Sequence, residues 1–102
     1  MELRKNPNLE TFAQLATRLN KVLAELKVQP EVGSRYHSKE LSYVDEMKQL
    51  DEFINHADEY EIAYGGLVAT IQGHGFALSP EASASLSEAA LLLPTILRRS
   101  RD

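Results

Sequence analysis

The sequence predicts an all-α protein, a small bundle of four main helices with a short fifth turn near the C-terminus. Three observations predict it. Apolar residues recur at three- and four-residue steps along most of the chain, helix start and stop residues bracket those runs, and strand-like alternation is poor throughout. At 102 residues the chain has the size of one domain, taken as 1–102. A chain of that length buries roughly 65% of its unfolded surface.

The first helix is expected over 7–27. Asn6 and Pro7 supply an N-cap and a first helical position, and Leu9, Phe12, Leu15, Ala16, Leu19, Val22, Leu23 and Leu26 follow at helical spacing. Residues 28–38 carry Pro30 and Gly33 and read as a loop ending in a cap at Ser38. The second helix is expected over 39–55, with Tyr43, Met47, Leu50, Phe53 and Ile54 gathered on one side. Its opposite side is polar: Asp45, Lys48, Gln49, Glu52, Asn55 and His56.

Asp58 is expected to cap the third helix. The strong face of that helix is Tyr60, Ala63, Tyr64, Leu67, Val68 and Ile71; Ile62, Gly65, Gly66 and Ala69 make a second face of small groups. Both faces therefore predict partial burial, and a central position for the helix. A Gly-Gly pair inside a helix costs on the order of 1 kcal/mol per glycine relative to alanine, which a closely packed neighbouring helix would offset. Gly73 and Gly75 are expected to end this helix in left-handed conformations, and Ser79 with Pro80 to start the fourth. Ala82, Leu86, Ala89, Ala90 and Leu93 then face inward, and Pro94 predicts a kink or a short last turn through Leu97.

Composition narrows the function. The longest uninterrupted apolar stretch, residues 89–94, is far short of a bilayer span, and the charged N-terminal residues lack the apolar region of a secretion signal. A cytoplasmic chain without membrane association is the expectation. There is no cysteine, so thiol chemistry and zinc–thiolate sites are excluded. The formal net charge of −4 is unevenly placed. Residues 40–61 carry Glu40, Asp45, Glu46, Asp51, Glu52, Asp58, Glu59 and Glu61 against a single lysine, Lys48, while Arg98, Arg99 and Arg101 sit at the C-terminal end. Nucleic-acid binding needs a cationic surface, so this distribution disfavours it. An acidic band instead attracts a cationic protein.

Catalytic constellations are missing from the pattern. His37, His56 and His74 lack ligand-like spacing, the serines at 79, 83, 85 and 87 lack a nucleophile elbow, and the glycines do not form a phosphate loop. His56 lacks the neighbours that a phosphotransfer helix would place around it. No enzyme activity, cofactor or metal is expected. The candidate partner-binding residues are Asp45, Glu52, Asp58, Glu59 and Glu61, which supply charge, with Tyr36 and Tyr60 as aromatic anchors. Tyr36, in the loop, reads as the freer ring; Tyr60 also lies on a core face.

The stretch Glu61-Ile62-Ala63 through Leu67 and Ile71, followed by Gly75-Phe76-Ala77-Leu78-Ser79-Pro80-Glu81 and a leucine-terminated helix, resembles the C-terminal half of the small Maf-type immunity proteins. These are related in role to the immunity partners of contact-dependent inhibition toxins. The chain departs from that pattern at Gly65-Gly66 and in the basic extension after Pro94. The resemblance implies a small helical cytoplasmic bacterial protein that binds a cognate toxin domain, often a nuclease, and blocks it. Stoichiometric occlusion by a monomer in a 1:1 complex is the mechanism expected. A helical adaptor or secretion chaperone, holding a client in an apolar groove and working as a dimer, is the competing expectation.

Overall fold

Five helices follow one another in the order α1 (Leu9–Leu26), α2 (Pro30–Gly33), α3 (Tyr43–Asn55), α4 (Tyr60–His74) and α5 (Pro80–Leu92), with a 3₁₀ turn at Leu93–Thr95. They belong to a computed structural model that describes residues 9–37, 39 and 41–96. The described residues are 77% helical and contain no strand, so the expected all-α class with four main helices is the one observed. The Asn6-Pro7 start, the Ser38 cap, Leu97 and the arginine-rich end lie outside the described residues.

α1 is the centre of the bundle. Leu15, Leu19, Val22, Leu23 and Leu26 are all essentially inaccessible to solvent, and the helix packs against α3, α4 and α5. Its apolar spacing forms one continuous stripe that three neighbours can cover. Polar ties flank that core: Arg18 Nε donates to Glu88 on α5 at 2.9 Å, and the side-chain amides of Asn20 and Asn55 pair reciprocally at 2.9 Å.

The central position expected for the third main helix, α4, is thereby corrected. One stripe of α4 is buried, made by Tyr60, Ala63, Leu67 and Thr70, while Ile62 is 52% exposed and Gly65 and Ala69 also face solvent. Small groups bury little area, so leaving them uncovered sacrifices little hydrophobic stabilisation. Only half of the glycine pair is used for close packing. A Cβ at Gly66 would stand 2.9 Å from Leu50 Cδ2 on α3, whereas a Cβ at Gly65 would meet nothing within 4 Å.

The helix boundaries follow local chemistry. The segment read as a loop contains α2, started by Pro30, and its Val32 is buried. The ring of Tyr43 lies directly over Gly33, where any Cβ would overlap it, and its hydroxyl donates to the Leu26 carbonyl at 2.5 Å. That bond satisfies one of the carbonyls left without an intrahelical partner at the end of α1. α3 begins four residues later than expected, capped by Ser42, whose Oγ accepts from the Asp45 N–H at 3.1 Å.

Asp58 is not the cap of α4. Glu59 occupies that position without a side-chain cap bond, while Asp58 adopts φ 52° and accepts from the Tyr60 hydroxyl at 3.1 Å. An aspartate tolerates the left-handed region better than most side chains, so this corner can turn sharply between α3 and α4. At the other end Gly73 remains helical, and Gly75 alone takes the left-handed conformation, at φ 77°. Ser79 and Pro80 start α5 as expected, with Ser79 Oγ accepting from the Ala82 N–H at 3.1 Å. Ala82, Ser85 and Ala89 form its buried edge. Leu93 keeps helical dihedrals, and the chain tightens into the 3₁₀ turn across Pro94.

Candidate functional site

The α3–α4 corner concentrates negative charge around an apolar floor. Phe12 from α1, Tyr60 and Ile62 from α4, and Ile96 after the last turn line a groove of about 270 Å³, together with Asp58, Glu59 and Glu61. The three carboxylate residues are exposed, and the Phe12 and Tyr60 rings meet with centroids 5.2 Å apart. The positive end of the α4 backbone dipole lies at the same corner, where acidic side chains are favourable. The sequence therefore brings four of its seven candidate residues, Asp58, Glu59, Tyr60 and Glu61, into one groove.

Tyr60 enters that groove as part of the core rather than as a projecting anchor. It is 6% exposed, and burial raises its phenol pKa to about 12, with the hydrogen bond to Asp58 and the Asp58 charge acting in the same direction. Asp45 and Glu52 are exposed on the outward stripe of α3, as are Lys48, Gln49, Asn55 and His56. They extend the acidic surface beyond the groove without lining it.

Tyr36 is corrected from the freer aromatic to a packed one. Its ring stacks on His74 at 3.7 Å with an interplanar angle of 7°, meets Tyr43 and Phe76 edge-on, and its hydroxyl donates to Glu46 at 2.5 Å. The second oxygen of Glu46 accepts from Thr70 Oγ1 at 3.1 Å, and His74 Nε2 lies 3.9 Å from the first. This network joins the loop after α2, the start of α3 and the end of α4. The loop folds back onto the C-terminal end of α4 because Phe76, just past the Gly75 turn, is buried there.

No protein-family model, curated protein or solved structure matches the chain.

Phe12, Ile62 and Ile96 are the groove residues that sequence reading missed. Ile62 carried a signal, an isoleucine among small groups on the second face of α4, Phe12 read as a core position of the first helix, and Ile96 carried no signal of its own. A second groove, of about 380 Å³, runs along α3 between Lys27, Tyr43, Val44, Met47, Lys48 and Asp51. Val44, Met47, Lys48 and Asp51 are spaced i, i+3, i+4 and i+7, so they share one side of the helix. Among the described residues no group of three or more His, Asp or Glu side chains is placed to hold a metal ion, and no helix is long and apolar enough to cross a membrane.

Proposed function

We propose that this chain is an immunity protein that binds a cognate basic toxin domain and neutralises it by stoichiometric occlusion, without turnover. One observation carries the reading: Asp58, Glu59 and Glu61 ring a groove whose floor is Phe12, Tyr60, Ile62 and Ile96. An arginine of the partner matches both parts. Its methylene stem would lie on apolar side chains while its guanidinium donates charge-assisted hydrogen bonds to the carboxylates.

Asp45 and Glu52 continue the negative surface along α3 and would speed encounter with a cationic groove that otherwise holds phosphates. The resemblance of the 61–93 stretch to Maf-type immunity proteins supports the same reading and supplies its biological setting. Packing in the core removes Tyr36 and Tyr60 as projecting anchors, leaving Ile62 as the exposed apolar contact. The active species would be a cytoplasmic monomer in a 1:1 complex.

The test is to read the adjacent upstream gene for a large secreted protein with a variable C-terminal domain and to co-express that domain with this chain. Rescue of growth and co-purification at 1:1 stoichiometry are expected. A domain that remains toxic beside abundant, folded immunity chain, with no complex on size exclusion, would overturn the proposal.

A further inference from the structure

The acidic groove has a candidate occupant within its own chain. Ile96, one of its wall residues, is half-buried and leaves the last turn with extended dihedrals, φ −68° and ψ 126°. Arg98, Arg99 and Arg101 follow within five residues, with Asp102 as the one acid beside them. The groove itself carries no lysine or arginine: Asp58, Glu59 and Glu61 are its charged lining residues. The segments that build it supply none either. Residues 9–17 of α1, the α3–α4 corner from Gln49 onward, all of α4, and α5 through Ile96 contain neither lysine nor arginine. The other cations close in sequence, Arg4 and Lys5, stand seven or more residues before Phe12 and are opposed by Glu2.

We propose that Arg98, Arg99 and Arg101 dock on the Asp58, Glu59 and Glu61 groove of their own chain, as a tethered occupant that a partner's arginine must displace. Reach permits it. An extended chain advances at most about 3.6 Å per residue, which puts Arg98 within about 7 Å of Ile96 and Arg101 within about 18 Å. So short a tether presents the guanidinium groups at an effective concentration on the order of millimolar, enough to populate contacts too weak to hold a free peptide. Arginine also fits both chemistries of the groove, with methylene stems for Ile62 and Ile96 and planar forks for the carboxylates. The displacement step rests on the reading of this corner as the partner's arginine site; the docking does not. Displacement reduces the apparent affinity of any incoming cation in proportion to the fraction of chains whose groove is open, which favours a partner that binds by more than charge.

The experiment is paramagnetic relaxation NMR on the free chain. The protein has no cysteine, so Ser100→Cys carries a single nitroxide. Tethering alone broadens nearby resonances, and the same label beside Arg98→Gln, Arg99→Gln and Arg101→Gln measures that background. Relaxation enhancement at the Glu59 and Glu61 amides and the Ile62 methyls should be at least twofold greater with the arginines present. The excess should vanish at about 1 M salt, where screening shortens to about 3 Å. Acetyl-Arg-Arg-amide, as a free competitor, should bind the groove at least twofold more tightly in the triple glutamine variant. Equal enhancement in the two labelled chains, an excess that passes between isotope-labelled and spin-labelled molecules in a mixture, or equal dipeptide affinity would each overturn the proposal. So would groove resonances that move with Arg4→Gln and Lys5→Gln but not with the three arginine changes. Toxin capture is scored separately: the excess without 1:1 capture overturns only the proposed function, and capture without the excess overturns only the docking.

Discussion

The carboxylate of Glu25 on α1 holds both polar groups of Ser79, accepting from its backbone N–H at 2.8 Å and from its hydroxyl at 2.5 Å. The hydroxyl in turn accepts from the Ala82 N–H at 3.1 Å, so the cap of α5 is itself gripped by the helix at the centre of the bundle. One turn further on, the Gln29 amide donates to the Ala77 carbonyl at 2.8 Å and accepts from the Ala77 N–H at 3.0 Å. The end of α1 and the cap position of α2 thus hold the approach to α5 at Ala77 and Ser79.

Glu25 titration should therefore appear in stability. The Ser79 side-chain hydrogen bond, then the Ser79 backbone bond, and more weakly Lys21, hold its carboxyl below the ordinary value of 4.5. A carboxylate with a depressed folded-state pKa contributes stability above its unfolded value, and that contribution disappears as pH falls through the folded one. Glu25→Ala should lower the urea midpoint at neutral pH, and the gap from wild type should narrow as pH falls below the ordinary value of 4.5. Ser79→Ala removes the cap and should cost about 1 kcal/mol. In the double variant the Glu25 change should have a smaller effect than alone, because its hydroxyl partner has already gone. Additive losses would show that the two residues act independently.

The adjacent glycines of α4 should respond oppositely to alanine. At Gly65 the new methyl meets open space in a helix interior, so Gly65→Ala should stabilise by about 0.5–1 kcal/mol. At Gly66 it meets Leu50 Cδ2 at 2.9 Å, and a shift of that buried leucine offsets the helix gain. Gly66→Ala should therefore be neutral or destabilising. Thermal unfolding of the two single variants distinguishes them, and equal stabilisation would show that α3 and α4 are not in close contact there.

Tyr60 gives an alkaline counterpart. Its phenol pKa is raised to about 12 from 10.0, chiefly by burial and then by Asp58. The stabilisation linked to its neutral form is complete below the unfolded value and declines as pH rises towards the folded one. Stability should fall between about pH 10 and 12. Labelled tyrosine NMR should show Tyr60 ionising late, and Asp58→Asn should lower its pKa without returning it to 10, since burial persists. A Tyr60 that titrates normally would place its ring in water.

Much of this architecture was legible because α1 has a clean stripe and because Ser79-Pro80 and Gly75 punctuate α5 and α4 as their chemistry requires. α4 was misplaced for an identifiable reason: Tyr60 to Ile71 is apolar or small nearly all round, so periodicity separates its faces poorly. Ser42, three residues before Asp45, carried the start signal of α3, though Ser38 competed for that role. The charged half of the groove was readable from the Asp58-Glu59-Tyr60-Glu61 run. Its floor was not, since Phe12, Ile62 and Ile96 come together only through tertiary packing.

Tyr36 separates structural from interfacial aromatics. Tyr36→Phe keeps the stack on His74 but removes the hydroxyl bonded to Glu46, and should cost about 1–2 kcal/mol. His74→Ala removes the stacking surface and should also destabilise. Denaturant titrations check both. If the ring belongs to the fold, Tyr36→Phe leaves toxin-domain affinity unchanged; loss of affinity at unchanged stability would restore Tyr36 to the interface.

Charge reversal at the acidic corner tests its proposed use. Glu59 and Glu61 are exposed at the start of α4, so Glu59→Lys with Glu61→Lys leaves the core untouched while placing cations at the positive end of a helix dipole. A modest stability loss is expected, and a circular-dichroism melt measures it. Binding should suffer far more. Close charge pairs across interfaces are worth about 1.5–7 kcal/mol of coupling in favourable cases, so a loss of at least tenfold in toxin-domain affinity is the expected minimum. Salt identifies the cause: screening shortens to about 8 Å near physiological ionic strength, so wild-type association should slow as salt rises and the doubly reversed chain should show little slope. Ile62→Ala, on the 52% exposed isoleucine of the same groove, should instead speed dissociation and leave the salt slope alone. A reversed corner that still binds at wild-type affinity in low salt would remove these carboxylates from the interface.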